Sequence, residues 1–263
     1  MSTSHRADLR ALRAYETIAP AYDSFTAHHK YEHLMGELLP ALEACGLAGN
    51  RLLDVACGTG KSFLPMLARG WKVTACDISP AMAGLARKKA GGAARVEVAD
   101  MRRLPVFGEF HLIWALADAV NYLLDPEELS STLRGMRDNL APTGLLLFDV
   151  NTMLAYRIFF ATDETIELGD TCFRRRSLSS ADAPPGSLWK AEFEAKGRER
   201  QVTPHVHCQR HFPEKDVLAT LSCSGLEILD VAGQHVKGIG LQRPLDESKH
   251  TKAVYIARPL RAS

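Results

Sequence analysis

The chain has 263 residues, of which 46% are hydrophobic and 24% charged, so it can bury one sizeable core and carry an additional substructure. A formal net charge of +1 gives no electrostatic reason to expect nucleic acid or a membrane as the main partner, which leaves a small molecule. The six cysteines form no CxxC pair, and no stretch reaches the ~18 apolar residues of a membrane helix, so we expect a cytoplasmic protein with reduced thiols.

The first predicted elements are helices. Hydrophobic and aromatic residues recur at three- to four-residue spacing from about Ala7 to Gly46, and Pro20 is expected to break this segment. An apolar strand, Arg51–Val55, follows and runs into a glycine-rich turn ending at Gly60. Glycines there allow positive φ and the close approach of a ligand to the backbone.

Helices and strands then alternate. The predicted helices are Lys61–Arg69, Ser79–Ala90 and Pro126–Asn139, and the predicted strands are Trp71–Cys76, Arg95–Val98, Phe110–Trp114 and Leu145–Val150. Strands that alternate with helices at this spacing indicate a parallel, doubly wound sheet.

The pattern changes after Asn151. Two strands, Leu188–Ala195 and Val202–His211, predict an antiparallel insertion that would act as a lid. A helix from Pro213 to Ser222 follows it. The strands Leu226–Ala232 and Lys252–Ala257 then complete the sheet.

The glycine turn carries an acid and lacks the G-x-G-x-x-G spacing of a dinucleotide site. Its sequence Asp-Val-Ala-Cys-Gly-Thr-Gly, residues 54–60, resembles the motif of class I S-adenosylmethionine-dependent methyltransferases. Asp77 ends the second strand like that family's ribose-binding acid, and Asp100 follows the third strand like its adenine-side acid. The resemblance covers residues 51–150 and implies S-adenosyl-L-methionine as cofactor, although family members often have glycine where Ala56 stands.

The resemblance also implies roles for individual residues. Asp54 would organise the turn or receive the α-ammonium group, Asp77 would accept hydrogen bonds from the ribose hydroxyls, and Asp100 would accept one from the adenine amino group. The cofactor-binding set it implies is Tyr15, Tyr22, Asp54, Ala56, Cys57, Gly58, Gly60, Asp77, Ile78, Met82, Asp100, Met101, Arg102 and Ala115. Ile78 and Met82 would sandwich the adenine ring.

Candidates for the acceptor side come from three segments. The motif Y-x-x-x-A-x-x-Y-D, which begins at Tyr15 and includes Tyr22, resembles the entry helices of small-molecule methyltransferases, whose tyrosines would face the sulfonium pocket. Asp118 and Asn121 after the fourth strand are candidates to orient the acceptor. Asn151 ends the fifth strand, where it could touch substrate or cap the next segment.

Histidines also recur in the predicted lid. His205, His207 and His211 share one face of a strand by period two, and we favour a half-solvated sheet face over a zinc site or a catalytic base. No metal is predicted. Arg174, which opens a run of three arginines, is interpreted as part of a solvated strand end.

These observations lead to one prediction of fold and function. We expect an α/β protein with a Rossmann-like doubly wound sheet of seven strands, the last antiparallel, with a helical cap at 1–50, a cofactor core at 51–152, a lid at 153–212 and completion of the sheet at 213–263. The expected activity is methylation of a small-molecule amine, with a hydroxyl or carboxyl acceptor as the alternative. A non-catalytic S-adenosylmethionine-binding protein and a nicotinamide-dependent oxidoreductase are less favoured, and a homo-oligomer is left open.

Overall fold

The structure of the chain, a computed structural model, describes residues 3–27, 29, 31–197, 201–235 and 240–260. Parts of the predicted cap (1–2, 28 and 30), lid (198–200) and sheet completion (236–239 and 261–263) lie outside the described residues. No helix in the described ranges is both long and apolar enough to cross a membrane.

Parallel strands form the centre of the fold. They are β1 (Arg51–Val55), β2 (Lys72–Asp77), β3 (Ala94–Val98), β4 (Phe110–Ala115) and β5 (Leu140–Asn151). Their order along the sheet is β3-β2-β1-β4-β5. β2 and β3 lie on one side of β1, and β4 and β5 lie on the other. The strand order therefore reverses between β1 and β4, and their carboxyl ends form the crevice in which open α/β sheets bind ligands.

A second sheet follows β5. Its strands β6 (Glu164–Leu168), β7 (Thr171–Ser177), β8 (Leu188–Lys196) and β9 (Gln201–Arg210) pair antiparallel in chain order, and we call them the lid sheet. The sequence predicted only β8 and β9. The strand β6 escaped prediction because both of its faces carry exposed residues, which leaves no apolar alternation to detect.

Three strands near the C-terminus complete the central sheet. They are β10 (Leu226–Gln234), β11 (Leu241–Gln242) and β12 (Lys252–Pro259). β12 inserts antiparallel between β5 and β10, and β11 adds a two-residue edge to the seven predicted strands. The predicted fold class is therefore confirmed.

Seven α-helices accompany the sheets in the described chain: α1 (Thr3–Phe25), α2 (Tyr31–Ala44), α3 (Leu64–Ala68), α4 (Pro80–Ala90), α5 (Pro126–Arg137), α6 (Met153–Ala155) and α7 (Glu214–Cys223). α4 begins as predicted, because the Ser79 hydroxyl accepts from the Met82 amide and Pro80 follows at the first helical position. Gly91 ends it in the left-handed conformation at φ 56°.

The predicted break at Pro20 is wrong. α1 continues through Pro20, and the chain leaves the helix only after Phe25. Proline in a helix removes one backbone hydrogen bond, but Ile18, Ala19 and Ala21 around it are at most 3% exposed. Burial of these side chains holds the segment helical where local propensity would interrupt it.

The core lies on both faces of the central sheet. Neighbouring residues of β1 alternate between two clusters, with Leu53 packed against α5 and α7 and Leu52 packed against α2 and α4. This arrangement fixes the sheet between two helical layers and leaves the carboxyl ends of the strands free to build a site.

Candidate functional site

The glycine turn lies at the carboxyl end of β1 and has an unusual backbone. Gly58 and Gly60 have φ of 54° and 86°, and Ala56 adopts 59°, a left-handed conformation that is costly for a residue with a Cβ. A side chain at Gly60 would meet the Phe63 ring at 2.7 Å, whereas one at Gly58 would meet only Tyr22, at 3.8 Å. The turn is therefore packed from behind at Gly60 and open towards a pocket at Gly58.

Two buried carboxylates flank this turn. Asp77 accepts hydrogen bonds from the Gly58 amide at 2.8 Å and from the Ser79 amide at 2.9 Å, while Asp54 accepts one from the Ser62 hydroxyl. Burial raises the pKa of Asp77 to about 6 against the lowering effect of its two amide donors. Burial also raises the pKa of Asp54 to about 7, although the Ser62 hydrogen bond opposes the shift.

One pocket collects most of the predicted cofactor residues. It is lined by Ala11, Tyr15, Tyr22, Tyr31, Asp54, Ala56, Cys57, Gly58, Thr59, Lys61, Ser62, Asp77, Ile78, Ala99, Asp100, Met101, Arg102, Leu116, Ala117, Ala119, Tyr122 and Leu123. Gly60, Met82 and Ala115 are not among the lining residues. Met82 instead packs with Ile18 and Ala19 beneath α1, because α4 directs it towards that helix rather than towards the pocket.

The two cations in the pocket wall are already engaged. Lys61 Nζ donates to the Thr26 carbonyl at 2.6 Å, and the Arg102 guanidinium bonds both oxygens of Asp100, at 2.7 Å to Oδ2 and 2.9 Å to Oδ1. Arg102 also contacts Glu128 at 3.4 Å. A ligand without phosphate groups suits this pocket. Its two cations are already paired, and the other polar groups in its wall are carboxylates, hydroxyls and backbone groups.

Tyrosines form the side of the pocket opposite the glycine turn. Tyr15 lies with its ring centroid 6.1 Å from Tyr22 and 5.2 Å from Tyr122. Burial, with smaller contributions from neighbouring charges, raises the pKa of Tyr15 and Tyr22 well above the usual value, so both hydroxyls stay protonated. The sequence did not single out Tyr31 or Tyr122, because neither belongs to a repeated pattern.

The segment after β4 is held from below by charged residues. Ala117 and Asp118 adopt φ of 59° and 55°, and their amides both donate to Asp149 at 2.7 Å. Lys252 reaches Asp149 at 2.6 Å and Asp118 at 3.1 Å, and Gln209 donates to Asp118 at 2.6 Å. Although burial alone would lower it, these two carboxylates raise the pKa of Lys252. Asp118 thus lies beside the tyrosines, paired with Lys252, without lining the pocket itself.

Asn121 and Asn151 do not reach the pocket. Asn121 is fully buried, donates to the Arg210 carbonyl at 2.9 Å and accepts from the Asn151 amide at 2.9 Å. The Asn151 side chain donates to Gln209 at 3.1 Å. Asn121 was expected to orient the acceptor, and Asn151 to touch substrate or cap the next segment. In the structure their polar atoms join the end of β5 to β9 and so hold the lid sheet.

The lid histidines separate into two environments. His205 and His207 touch each other, and His207 meets Tyr122, whereas His211 packs against Tyr156 and accepts from the Gly186 amide. The half-solvated face predicted for the three is wrong for His207 and His211, which are 5% and 1% exposed, because α1 and the 156–160 segment cover them. No group of three or more histidine, cysteine or acidic side chains in the described ranges could hold a metal ion.

Comparisons with known proteins agree with this geometry. A model described as "Methyltransferase domain" matches residues 52–144. A Geobacillus sp. (strain WCH70) protein named as a putative methyltransferase is 31% identical over 170 residues, which are 60% of this chain and 68% of that protein. Another, "Putative methyltransferase YqeM" of Bacillus subtilis (strain 168), is 26% identical over 81% of this chain and 87% of its own.

Two further relatives add detail. The dTDP-3-amino-3,6-dideoxy-alpha-D-glucopyranose N,N-dimethyltransferase of Streptomyces fradiae is 25% identical over 60% of this chain and 62% of its own length. A crystal structure of an S-adenosylmethionine-dependent methyltransferase from Clostridium acetobutylicum ATCC 824 superposes with a TM-score of 0.77 at 19% identity, covering 94% of this chain and 100% of that one. The glycine turn, the acids at the ends of β1 and β2 and these relatives agree, and the chain belongs to the class I S-adenosylmethionine-dependent methyltransferase family.

Proposed function

We propose that this methyltransferase acts on the amine nitrogen of a small molecule. The observation that carries the proposal is the excess of carboxylates around the tyrosine side of the pocket. Asp54 lines the pocket, and Asp118 and Asp149 lie behind the tyrosines and share the one ammonium group of Lys252. Burial is the main cause of the raised pKa of Tyr15 and Tyr31, and the charge of Asp118 adds to it at both residues. An excess of negative charge attracts an ammonium or amine and repels a carboxylate.

The residues of the chain divide the work between two sides of the pocket. When bound, S-adenosyl-L-methionine supplies an electrophilic methyl group on its sulfonium. Asp54 and Asp77 are the residues that would hold its α-ammonium and ribose. The rings of Tyr15 and Tyr22 would surround the positive charge, and α1 excludes water from above. Orientation of an already activated donor then accounts for most of the rate.

Two features support an amine over a hydroxyl. An amine loses its proton before the methyl group arrives, so it needs no base in direct contact during transfer, and no histidine is among the residues that line the pocket. In addition, the Streptomyces fradiae relative is named for dimethylation of an amino sugar nucleotide. A hydroxyl acceptor requires removal of its proton as the methyl group arrives, which calls for a base in direct contact.

The test is a screen of matched acceptor pairs that differ only in an amine or a hydroxyl. The purified protein is incubated with isotopically labelled S-adenosyl-L-methionine and amino sugars, amino sugar nucleotides and their hydroxyl counterparts. We expect label on nitrogen, mapped by tandem mass spectrometry, in the amine members only. Label on oxygen, or equal transfer to both members of a pair, contradicts the proposal.

A further inference from the structure

A continuous line of hydrogen bonds leaves the wall of the cofactor pocket and enters the lid sheet. Tyr15 is hydrogen-bonded to Tyr122, and Tyr122 Oη lies 2.6 Å from His207 Nδ1. His207 Nε2 lies 3.1 Å from His205 Nε2, and His205 Nδ1 lies 2.9 Å from the Thr203 carbonyl. The proposed methyl transfer assigns no role to His205 or His207.

The Thr203 carbonyl at the outer end determines which atom is the donor in each hydrogen bond of the line. A carbonyl only accepts, so His205 Nδ1 carries the proton that it donates to Thr203. In a neutral ring His205 Nε2 is then an acceptor, which requires His207 to donate from Nε2. His207 Nδ1 is in turn an acceptor, and the Tyr122 hydroxyl donates to it.

The two ends of the line lie in different surroundings. His207 is 5% exposed and packs against Tyr15 and Phe193, with ring centroids 5.6 Å and 4.6 Å away. Burial, and secondarily the His205 ring, lower the pKa of His207 to about 3, so it stays neutral. His205 is only partly buried and lines a cleft of about 470 Å³ between α1 and the outer edge of the lid sheet.

Charged groups surround the outer end. Arg10 and Arg13 of α1 and Lys190 of β8 line the same cleft. Burial lowers the pKa of His205, while the Thr203 carbonyl and the charge of Glu192 on β8 oppose this shift. The three cations of the cleft disfavour a further positive charge beside them, so a proton that reaches His205 would leave it for solvent.

We propose that Tyr122, His207 and His205 form a proton relay that carries the proton of the acceptor amine from the pocket to solvent. The inference rests on the proposed function, because an amine that arrives as an ammonium ion must lose one proton before its lone pair can attack. The ammonium gives that proton to Tyr15, and Tyr15, Tyr122 and His207 each pass one proton to the next member. His205 gains one at Nε2 and releases its Nδ1 proton to water, which breaks its hydrogen bond to the Thr203 carbonyl. A single proton crosses, and the three hydrogen bonds between the side chains end reversed.

The same contacts could serve only to hold the lid sheet against α1, and a test must separate the two roles. NMR of wild-type protein with ¹⁵N-labelled histidine rings gives the tautomers of His205 and His207 without any cofactor or acceptor. A relay requires the Nδ1–H tautomer at His205 and the Nε2–H tautomer at His207. It also requires that the ¹⁵N chemical shift of His207 Nδ1 change in Tyr122→Phe, which removes the hydroxyl donor. The opposite tautomers, or an unchanged shift in the variant, overturn the relay.

Chemical rescue provides the second part. His205→Ala opens space beside the cleft, and we expect a loss of about tenfold or more in kcat with an unchanged Kd for S-adenosyl-L-methionine, as general acid–base steps give. Added imidazole should restore most of that loss. The matched control is His111→Ala, since His111 lies at the start of β4, away from the pocket, and accepts from the Arg51 amide.

Rates are measured with an amine that the screen identifies. A loss in His205→Ala that imidazole does not restore, or no loss at all, contradicts the relay. Failure of wild type to methylate any amine contradicts the proposed function instead, and the NMR spectra still decide whether the hydrogen-bond line has the direction that a relay needs.

Discussion

Asp54 and Asp77 lie on either side of the glycine turn, and both hold protons more tightly than exposed aspartates do. The folded protein keeps the Asp54 proton up to a pKa of about 7, whereas the unfolded chain releases it near 3.8. The unfolded state therefore gains stability relative to the folded one as the pH rises through that window. A cationic ligand reverses the effect at this residue, because it favours the ionised carboxylate.

The stability of the empty protein and its affinity for the cofactor should change in opposite directions as the pH rises. We expect the free energy of unfolding of the empty protein to fall as the pH rises from about 4 to about 7, and the affinity for S-adenosyl-L-methionine to rise from about pH 5 to about pH 8. Calorimetric titration and thermal melts at several pH values measure both. Asp54→Asn should flatten both trends, and equal slopes in wild type and variant would contradict the assignment.

Asp77 gives a second prediction, for affinity at fixed pH. Asp77→Ala removes a charged acceptor from the proposed ribose site, and loss of one hydrogen bond to a charged group, about 1.5–3 kcal/mol, should weaken cofactor binding by at least roughly ten- to a hundredfold. Isothermal titration checks this result. Glu97→Ala, at an exposed carboxylate on β3 paired with Arg95, serves as the control and should leave the Kd unchanged.

Side-chain roles at this scale follow from the sequence only where a motif carries them. Asp54, Asp77 and Asp100 could be located because strand ends in a parallel sheet meet at one edge. The Asp100–Arg102 pair and the inward turn of Met82 towards α1 depend on packing that no local pattern records.

The element that controls access to the pocket is α1. Glu16 accepts hydrogen bonds from the Ser79 hydroxyl and from the Ala81 amide at 2.8 Å, and Asp23 accepts from Thr59 and Lys89, both at 2.6 Å. A carboxylate at the start of α4 is also stabilised by the helix dipole. These two anchors hold the segment that bears Tyr15 and Tyr22 over the glycine turn.

Removal of one anchor should loosen the cover without unfolding the sheet. We expect Glu16→Ala to increase hydrogen–deuterium exchange in α1 and to accelerate dissociation of S-adenosyl-L-methionine several-fold. Mass-spectrometric exchange and stopped-flow dissociation measure these two effects. Glu32→Ala, which removes an exposed ion pair with Arg69, is the matched control, and identical behaviour of the two variants would contradict the role of the anchor.

Most elements could be predicted from periodicity, caps and turns, and the exceptions have physical causes. The predicted break at Pro20 is wrong because burial of its neighbours outweighs the lost hydrogen bond. β5 begins before the predicted Leu145 because the strand tolerates Pro142 at a point where its register with β4 shifts. α1 is long because it packs on both the lid sheet and α4, and contacts of this range have no local signature.

At the scale of the whole molecule, the lid sheet and the central sheet are joined through buried polar groups. Asn121 links the Asn151 amide to the Arg210 carbonyl, and Tyr156 Oη donates to the same carbonyl at 2.9 Å. Buried amides that are fully paired fix relative positions, because any displacement leaves polar atoms without partners. The pocket therefore depends on residues that do not line it.

Asn121→Ala should test this joint. Loss of its two buried hydrogen bonds leaves the Asn151 amide unpaired and the Arg210 carbonyl with Tyr156 Oη as its donor, which we expect to lower the free energy of unfolding by about 1–3 kcal/mol. Denaturant titration gives this value, and hydrogen exchange should increase in β9. Ser130→Ala, at a surface serine hydrogen-bonded to Arg134, should change little; a similar loss in both variants would contradict the account.

The contacts between sheets were beyond the reach of the sequence. Tyr122 and His207 are 85 residues apart, and Asp118 and Lys252 are 134 apart, so only the folded chain brings them together. The family motif points to the residues on the glycine-turn side of the pocket, whereas the proposed acceptor side depends on the lid sheet, α1 and β12.

The central claim is that this pocket transfers a methyl group to nitrogen. Its most direct test is incubation of the wild-type protein with S-adenosyl-L-methionine carrying a ¹³C-labelled methyl group and the matched amine and hydroxyl acceptors, followed by NMR and mass spectrometry of the products. We predict an N-methyl signal with an amine and none with its hydroxyl counterpart, and loss of the signal in Asp77→Ala. An O-methyl product, or transfer that Asp77→Ala does not reduce, would contradict the account.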